Sequence, residues 1–578
     1  MWFRNRIKMY LITGGLLSSG LAGAAFGATG ADLVVLGDVY TMSSTRPHAG
    51  GLAVRNGRII YVGKASEAKK RLRPGGELIR LKPGQTVLPG LIDSHVHMLD
   101  AGVLHEQCFL GEPKTKDEML ATIAKCAQDH PELTWVIGSG WPPTFFDENG
   151  PKKSELDAVI SDRPAVFYGQ DGHSAWLNSA ALAAAHINEK PDPPGGRIIR
   201  DATGEPSGTL LEAAVDLVVE HIPKPSRKMM LAGLDYAQRY LHSLGITMVQ
   251  DANVDLDTLE TYSDAARSGK LTMKVVAAQA TDPNRSADQV DELVRRRNRF
   301  TYGHLTAGTA KIFIDGVLEF RTAALIEPYE GRGNERGMLR WTTETLKELA
   351  IRLDREGFQM HMHVIGDDAA RQGLKAIAAA RAVNGVTDNR HQLAHLELVD
   401  PADIPRLGKL GVIANFEPFW MYADESITKI TIPLIGPERG NRLYPIRSVA
   451  KGGALITAGS DWPVSTPNPF LAMEVGITRQ SPTRPHGAPW IPRERVSLKT
   501  LLRAYTIAGA YVNHRDYETG SLESGKVADF IIIDRNLFTI RPHAIGKTVV
   551  LRTFVDGQQV YEYQPAGTDS HPGSKGRQ

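Results

Sequence analysis

The chain has 578 residues, with 67 Lys and Arg against 65 Asp and Glu and a formal net charge of +2. That length exceeds one ordinary core and requires a large domain with insertions, or two to three domains. Near-neutrality, with no basic stripe carrying interleaved aromatics, argues against nucleic acid as a partner and leaves a small, nearly neutral molecule as the fitting substrate.

Arg4, Arg6 and Lys8 precede an apolar, Gly-rich run that continues to Ala24, Ala25, Phe26 and Gly27. This is the layout of a secretory signal peptide over 1–28, which predicts a periplasmic or secreted protein whose mature chain begins near Ala28 to Ala31. An uncleaved membrane anchor is the alternative reading. With cleavage, no stable membrane partner is expected. A homo-oligomer is compatible with the sequence.

From Ala31 the runs "DLVVLGDVYTM", "GGLAVRNGRIIYVG" and "GQTVLPGLID" read as short strands separated by Gly and Asn turns, and "SGKVADFIIIDRNLF" and "TVVLRTFVDGQQVYEY" repeat that texture near the other end. Neither end has enough apolar residues for an independent core. Residues 29–88 and 513–563 are therefore expected to form one composite β-sandwich. The tail over 564–578 is polar and Gly-, Pro- and Ser-containing, the composition of a disordered segment.

In "LPGLIDSHVHML" an apolar strand ends in His95 and His97. Residues i and i+2 of a strand face the same way, so the two imidazoles project into one space, as metal ligands or simply as a histidine pair. The stretch from about 105 to 225 breaks the pattern that follows and reads as an insertion after this first strand. It holds the only cysteines, Cys108 and Cys126, which can be bridged in an oxidising compartment or remain two buried thiols.

Beyond the insertion, "ITMVQDA", "MKVVAAQA", "AKIFIDG", "FQMHMHVIGD", "HQLAHLEL", "VIANFEP" and "LITAGSDWP" are apolar strands, several of them followed by amphipathic helical stretches. With the first strand they make eight. Eight parallel strands with covering helices predict an α/β fold, a (β/α)8 TIM-type barrel over 89–512, in preference to an open doubly wound sheet.

Each chemistry-bearing residue then falls at the C-terminal end of a different strand: His95 and His97 on the first, Lys311 on the fourth, His363 on the fifth, His395 on the sixth and Asp461 on the eighth. His363 and His395 are 32 residues apart and His395 and Asp461 66, one and two βα units. Barrel active sites sit at that face. Imidazole and carboxylate ligands suit zinc, and also Mn, Fe or Co. His361 and His391 are expected in supporting or core roles.

These stretches, together with "DGHSAWLNSAAL", "KIFIDG" and the following "RTAAL", "HVIGDDAA", "HLELVDP", "GSDWPV" and "TGSLESGKVADFIIID", resemble the amidohydrolase superfamily, and within it the YtcJ-like metal-dependent hydrolases that include N-substituted formamide deformylases. The resemblance covers nearly the whole mature chain. It implies two divalent metal ions: His95, His97 and Asp461 on the more buried one, His363 and His395 on the other, and Lys311 bridging both as a carboxylated lysine. An unmodified lysine ammonium cannot ligate a cation at neutral pH, whereas its carbamate offers two anionic oxygens; a Lys311 salt bridge with Asp315 or another carboxylate would leave a mononuclear site.

Two ions bring +4 and the carbamate, Asp461 and a hydroxide about −3, leaving roughly +1 to polarise a neutral carbonyl. The hydroxide would attack, and Asp461 would move its proton to the leaving atom, hydrolysing an amide, cyclic amide or related C–N bond. His173, Glu212 and Arg321 are candidate substrate contacts, with a structural histidine and a buried helix carboxylate as the plainer readings of the first two. Val317, Glu319 and Phe320 replace smaller residues usual in relatives, and "GDDAAR" departs from the commoner pattern, so the substrate does not transfer from any relative. An esterase, lactonase or deaminase on the same site, or a non-catalytic binding protein on the same scaffold, are the competing readings.

Overall fold

The computed structural model describes residues 30–111 and 113–564. The leader expected over 1–28 and all but the first residue of the tail expected over 564–578 lie outside the described residues. No described helix is long and apolar enough to cross a membrane.

In chain order, β1 (Ala31–Tyr40), β2 (His48–Arg55), β3 (Arg58–Gly63), β4 (Leu72–Arg80) and β5 (Thr86–Pro89) lead into β6 (Leu91–Val96). Six strands follow before the next parallel one: β7 (Cys108–Phe109), β8 (Val136–Trp141), β9 (Ala165–Gly169), β10 (Ser174–Leu177), β11 (Gly196–Arg200) and β12 (Pro206–Glu212). Then come β13 (Ile246–Val254), β14 (Lys274–Ala280), β15 (Leu305–Phe313), β16 (Gln359–Val364), β17 (Gln392–His395), β18 (Ile413–Phe416) and β19 (Ile456–Ala458). The last three are β20 (Phe530–Ile533), β21 (Val550–Val555) and β22 (Gln558–Glu562).

The strands β6 and β13 to β19 pair in chain order, every pair parallel, as a nearly closed eight-stranded barrel. All eight are the strands expected from the alternation of apolar runs. The two edges meet without a continuous ladder: the Ser460 and Asp461 amides donate to the His95 carbonyl at 3.1 and 2.8 Å, and the His97 amide donates to the Trp462 carbonyl at 2.9 Å. Gly459 permits this approach, because a Cβ there would stand 2.5 Å from the His95 Cβ. Strand one and strand eight, 360 residues apart in sequence, are thereby held in register at their functional ends.

Helices cover the outside through ordinary capping chemistry. Ser226, Asp255 and Thr342 accept the Met229, Thr258 and Thr345 amides at the starts of helices Arg227–Ser243, Leu256–Arg267 and Thr343–Arg355, satisfying donors that the first turn leaves open. Inside the barrel lies a layer of amide side chains from strands two, five, six and seven: Gln250 Nε2 donates to Gln359 Oε1 at 2.7 Å, and Asn415 Nδ2 to Gln392 Oε1 at 3.0 Å. Fully buried amides are tolerated because they partner one another.

The two ends of the chain share one eight-stranded mixed sheet of order β22-β21-β20-β5-β1-β2-β3, with β4 beside β1. Leu33, Val35 and Leu52 from one end bury against Phe530, Ile532 and Phe554 from the other. A buried ion pair fastens this sheet to the barrel: the Lys274 ammonium donates to both oxygens of Asp529 and to Asp556, each at 2.7 Å, and His304 Nε2 also meets Asp556 at 2.7 Å. Burial works against the charged form of Lys274, but the two carboxylates outweigh it and raise its pKa. Removing the cation leaves Asp529 buried without its counter-charge, so Lys274→Met is expected to destabilise the fold by about 3 kcal/mol. Denaturant melts compared with wild type check this.

Candidate metal centre and its cavity

β7 to β12 form a separate six-stranded sheet of order β11-β12-β10-β9-β8-β7. Cys108 and Cys126 are joined in a disulfide with Cα atoms 5.9 Å apart, tying β7 to helix Lys116–Asp129. This sheet and the barrel enclose a cavity of about 560 Å³. His95, His97, Lys311, His363, His395 and Asp461 all line it, so six residues from five strand ends meet in one space. Apolar side chains such as Val103, Phe109, Ile137, Ile222 and Met230 make much of its remaining wall.

Three of the six converge most closely. His95, His395 and Asp461 are all buried, and each presents a ligand atom within 4.8 Å of the others. Asp461 Oδ1 lies 3.1 Å from His97 Nε2 and 3.4 Å from His95 Nε2, and the Lys311 ammonium lies 3.4 Å from the same His95 nitrogen. The His363 and His395 rings are 4.6 Å apart. His395 and Asp461 both take positive φ, 75° and 54°, a backbone conformation uncommon for residues other than glycine.

A chain of hydrogen bonds assigns the His95 tautomer. Gln250 Oε1 can only accept, so His361 Nδ1, 3.0 Å away, carries its proton; His361 Nε2 then accepts from His95 Nδ1 at 2.9 Å. The lone pair of His95 Nε2 is left facing Asp461 and Lys311. His361, expected in a supporting role, is fully buried and sets this orientation.

Electrostatics prepare the same groups for a cation. Burial holds His95, His361 and His363 well below the ordinary imidazole pKa and His395 down to about 3, so these rings are neutral at pH 7, as metal ligation demands. Burial also disfavours the Asp461 carboxylate, but the His97 ring 3.1 Å away, whose own pKa the carboxylate raises, helps keep the Asp461 pKa well below the usual range. Burial lowers Lys311 to about 8. Asp315 is not its partner: the carboxylate accepts the amides of Ala324, Ile365 and Gly366 at 2.9, 3.1 and 2.8 Å. His363 Nε2 lies 3.3 Å from the Gly316 carbonyl.

Several buried polar atoms here lack a hydrogen-bond partner: Asp461 Oδ1, His395 Nδ1 and both carboxylate oxygens of Glu417. A buried, unpaired Asp461 oxygen among neutral imidazoles is the chemistry of a divalent cation site. The residues present therefore fit the metal ions that the sequence pattern implies.

The three expected substrate contacts divide. His173 lines the cavity with its ring 4.8 Å from that of His363, and its Nδ1 donates to Glu212 Oε2 at 2.8 Å. Burial would lower the His173 pKa, but Glu212 outweighs burial and raises it. Glu212 itself does not reach the cavity. It closes β12 rather than sitting in a helix, and its other oxygen accepts from Thr322 Oγ1 at 2.7 Å, so it supports His173 and is not free to orient a substrate. Arg321 is also displaced from the expected place: it does not line the cavity, and its guanidinium is held by Glu335 at 3.2 Å and Glu148 at 2.9 Å. His391 lies at the opposite end of strand six, 3.0 Å from Asp354, as a structural residue.

Glu417 is the residue the sequence reading passed over. It directly follows the apolar run of β18, so it occupies on strand seven the place that His95, His395 and Asp461 occupy on theirs. A charge immediately after an apolar strand was the signal that could have found it.

Comparisons with known proteins agree with this architecture. The chain is 32% identical to Protein LONG AFTER FAR-RED 3 of Arabidopsis thaliana, over 92% of each chain. It is 28% identical to an N-substituted formamide deformylase of Arthrobacter pascens, over 92% of this chain and 98% of that one. A metal-dependent hydrolase of Pyrococcus horikoshii OT3 superposes with a TM-score of 0.71 at 24% identity, covering 88% of this chain and 99% of the other. The amidohydrolase family model matches residues 83–561, which include all eight barrel strands. The chain belongs to the amidohydrolase family.

Proposed function

We propose that this protein is an exported, metal-dependent amidohydrolase that cleaves an amide, cyclic amide or related C–N bond of a small molecule carrying an apolar group. Family membership makes it a hydrolase of carbon–nitrogen bonds. One observation carries the reading: His95, His395 and Asp461 converge, with neutral imidazoles and an ionised carboxylate, at the floor of a cavity with apolar walls. In this reading His95, His97 and Asp461 hold one divalent ion, His363 and His395 the second, and a carboxylated Lys311 lies between them, with zinc the metal that suits the donor set.

Bound there, the ions supply a Lewis acid for the scissile carbonyl and bring the pKa of a water toward about 7. Asp461 accepts the proton of the attacking water and returns it to the leaving nitrogen. His173, fixed by Glu212, donates to the carbonyl oxygen as negative charge develops on it. The segment from 105 to 225 serves as an insertion that covers the mouth and excludes water, and the sheet shared by the two ends serves as a small sandwich. Export is supported by the basic, then apolar pattern of residues 1–28 and by the Cys108–Cys126 bridge, which suits an oxidising compartment. No nucleic acid or membrane partner enters this reading.

The test is a hydrolysis screen of the metal-loaded protein with N-formyl, N-acyl and cyclic amides beside matched esters and lactones. Turnover of an amide, abolished by chelation and restored by Zn or Mn, is the expected result. Preference for esters or lactones would refute the assigned bond, and no turnover with full metal occupancy would refute the enzyme.

A further inference from the structure

Glu417 is a fully buried carboxylate with neither oxygen in a hydrogen bond among the described residues. Leaving an acceptor so exposed to a low-dielectric interior is costly, and the cost is larger for a charge. Its surroundings show what it serves. Oε2 lies 3.1 Å from His395 Nδ1, which is itself without a partner, and Oε1 lies 3.9 Å from His95 Nδ1. Three residues further on, Trp420 stacks on the His395 ring at 5.5 Å with an interplanar angle of 6°. One short segment after strand seven thus grips His395 by its edge and by its face.

The two imidazoles differ in what they leave for Glu417. The His95 Nδ1 proton is already given to His361, and its Nε2 lone pair points at Asp461 and Lys311, across the ring from Glu417. His395 Nδ1, by contrast, has no hydrogen-bond partner among the described residues, and Oε2 stands 3.1 Å from it.

We propose that Glu417 is a positioning residue of the metal centre, which accepts the Nδ1 proton of His395 and so fixes Nε2 as the nitrogen offered to the second ion. The assignment rests on the metal-dependent reading given above. Carboxylates that orient a ligating histidine typically contribute 10- to 100-fold in metal affinity.

The experiment uses the full chain, stripped of metal and titrated with Co²⁺, reading the visible absorption of the bound ion and the number of ions bound by elemental analysis. Wild type and Glu417→Gln are compared, with the thermal transition of each metal-free protein measured alongside. The expected result is that the variant binds the second Co²⁺ about 10- to 100-fold more weakly, while the first ion and the metal-free transition are nearly unchanged. Equal affinity for both ions in the two proteins overturns the proposal. Wild type that binds no Co²⁺ overturns the metal-dependent reading instead. Should the glutamine variant not fold, Glu417→Asp keeps the charge but draws it back by one methylene; weaker second-ion binding then supports the assignment and unchanged binding refutes it.

Discussion

Asp461→Asn is expected to lower kcat by about 10³-fold, in the middle of the 10²- to 10⁴-fold range that a positioned proton-transfer group contributes. The side chain is 9% exposed, and its oxygen faces both His95 and His97, so an isosteric amide fits the same space. Asparagine can still offer an oxygen to a cation. It cannot accept the proton of the attacking water or return one to the leaving nitrogen. A loss in kcat with KM changed little separates this role from substrate binding. Steady-state kinetics with metal content measured on the same samples check it, and kcat within tenfold of wild type at full occupancy would remove Asp461 from the proton path. The backbone is a second reason to expect a clean result: the φ of 54° at this position is one that asparagine tolerates as well as aspartate does.

Lys311→Ala is expected to cost one of two bound ions and at least about 100-fold in activity, with partial recovery on adding a short carboxylate such as acetate or propionate. Lys311 is buried, its ammonium lies over the Phe313 ring at 4.5 Å, and it forms no ion pair with a carboxylate among the described residues. A lysine left in that condition has a weakened hold on its proton, and burial accordingly brings it down to about 8. The direction matters for carboxylation. Only the neutral amine attacks CO₂, forming the N–C bond of the carbamate and releasing one proton. The neutral fraction grows with pH, from about a tenth at pH 7 to about a half at pH 8. Reactivation of metal-free, decarboxylated protein by Zn at a fixed concentration of dissolved CO₂ should therefore be roughly fivefold faster at pH 8 than at pH 7. Reactivation independent of bicarbonate, with two ions bound, would contradict the carbamate.

What is legible in the sequence and what is not follow the range of the forces involved. Apolar strands alternating with amphipathic helices reflect local periodicity, so the eight parallel strands and the position of each on the barrel were legible before any coordinates. Histidines, a lysine and an aspartate at strand ends were legible for the same reason. Their neighbours were not. The His361 link between His95 and Gln250 joins strands one, five and two, and nothing local marks it. The Lys274 pair with Asp529 joins residues 255 positions apart. Glu212 and Arg321 had suitable chemistry at suitable places in the sequence. In the fold, Glu212 is occupied by His173 and Thr322, and Arg321 by Glu148 and Glu335, so neither faces the cavity.

The sequence by itself therefore determined the barrel, its strand order and the set of residues gathered at its mouth, because side-chain periodicity and chain order are properties of short segments. Only the tertiary structure decided the His95 tautomer, the placement of Glu417 beneath His395, the Cys108–Cys126 bridge and which polar groups face the cavity. Those depend on which partner each buried polar atom meets, and that is set when distant segments close on one another and water is excluded.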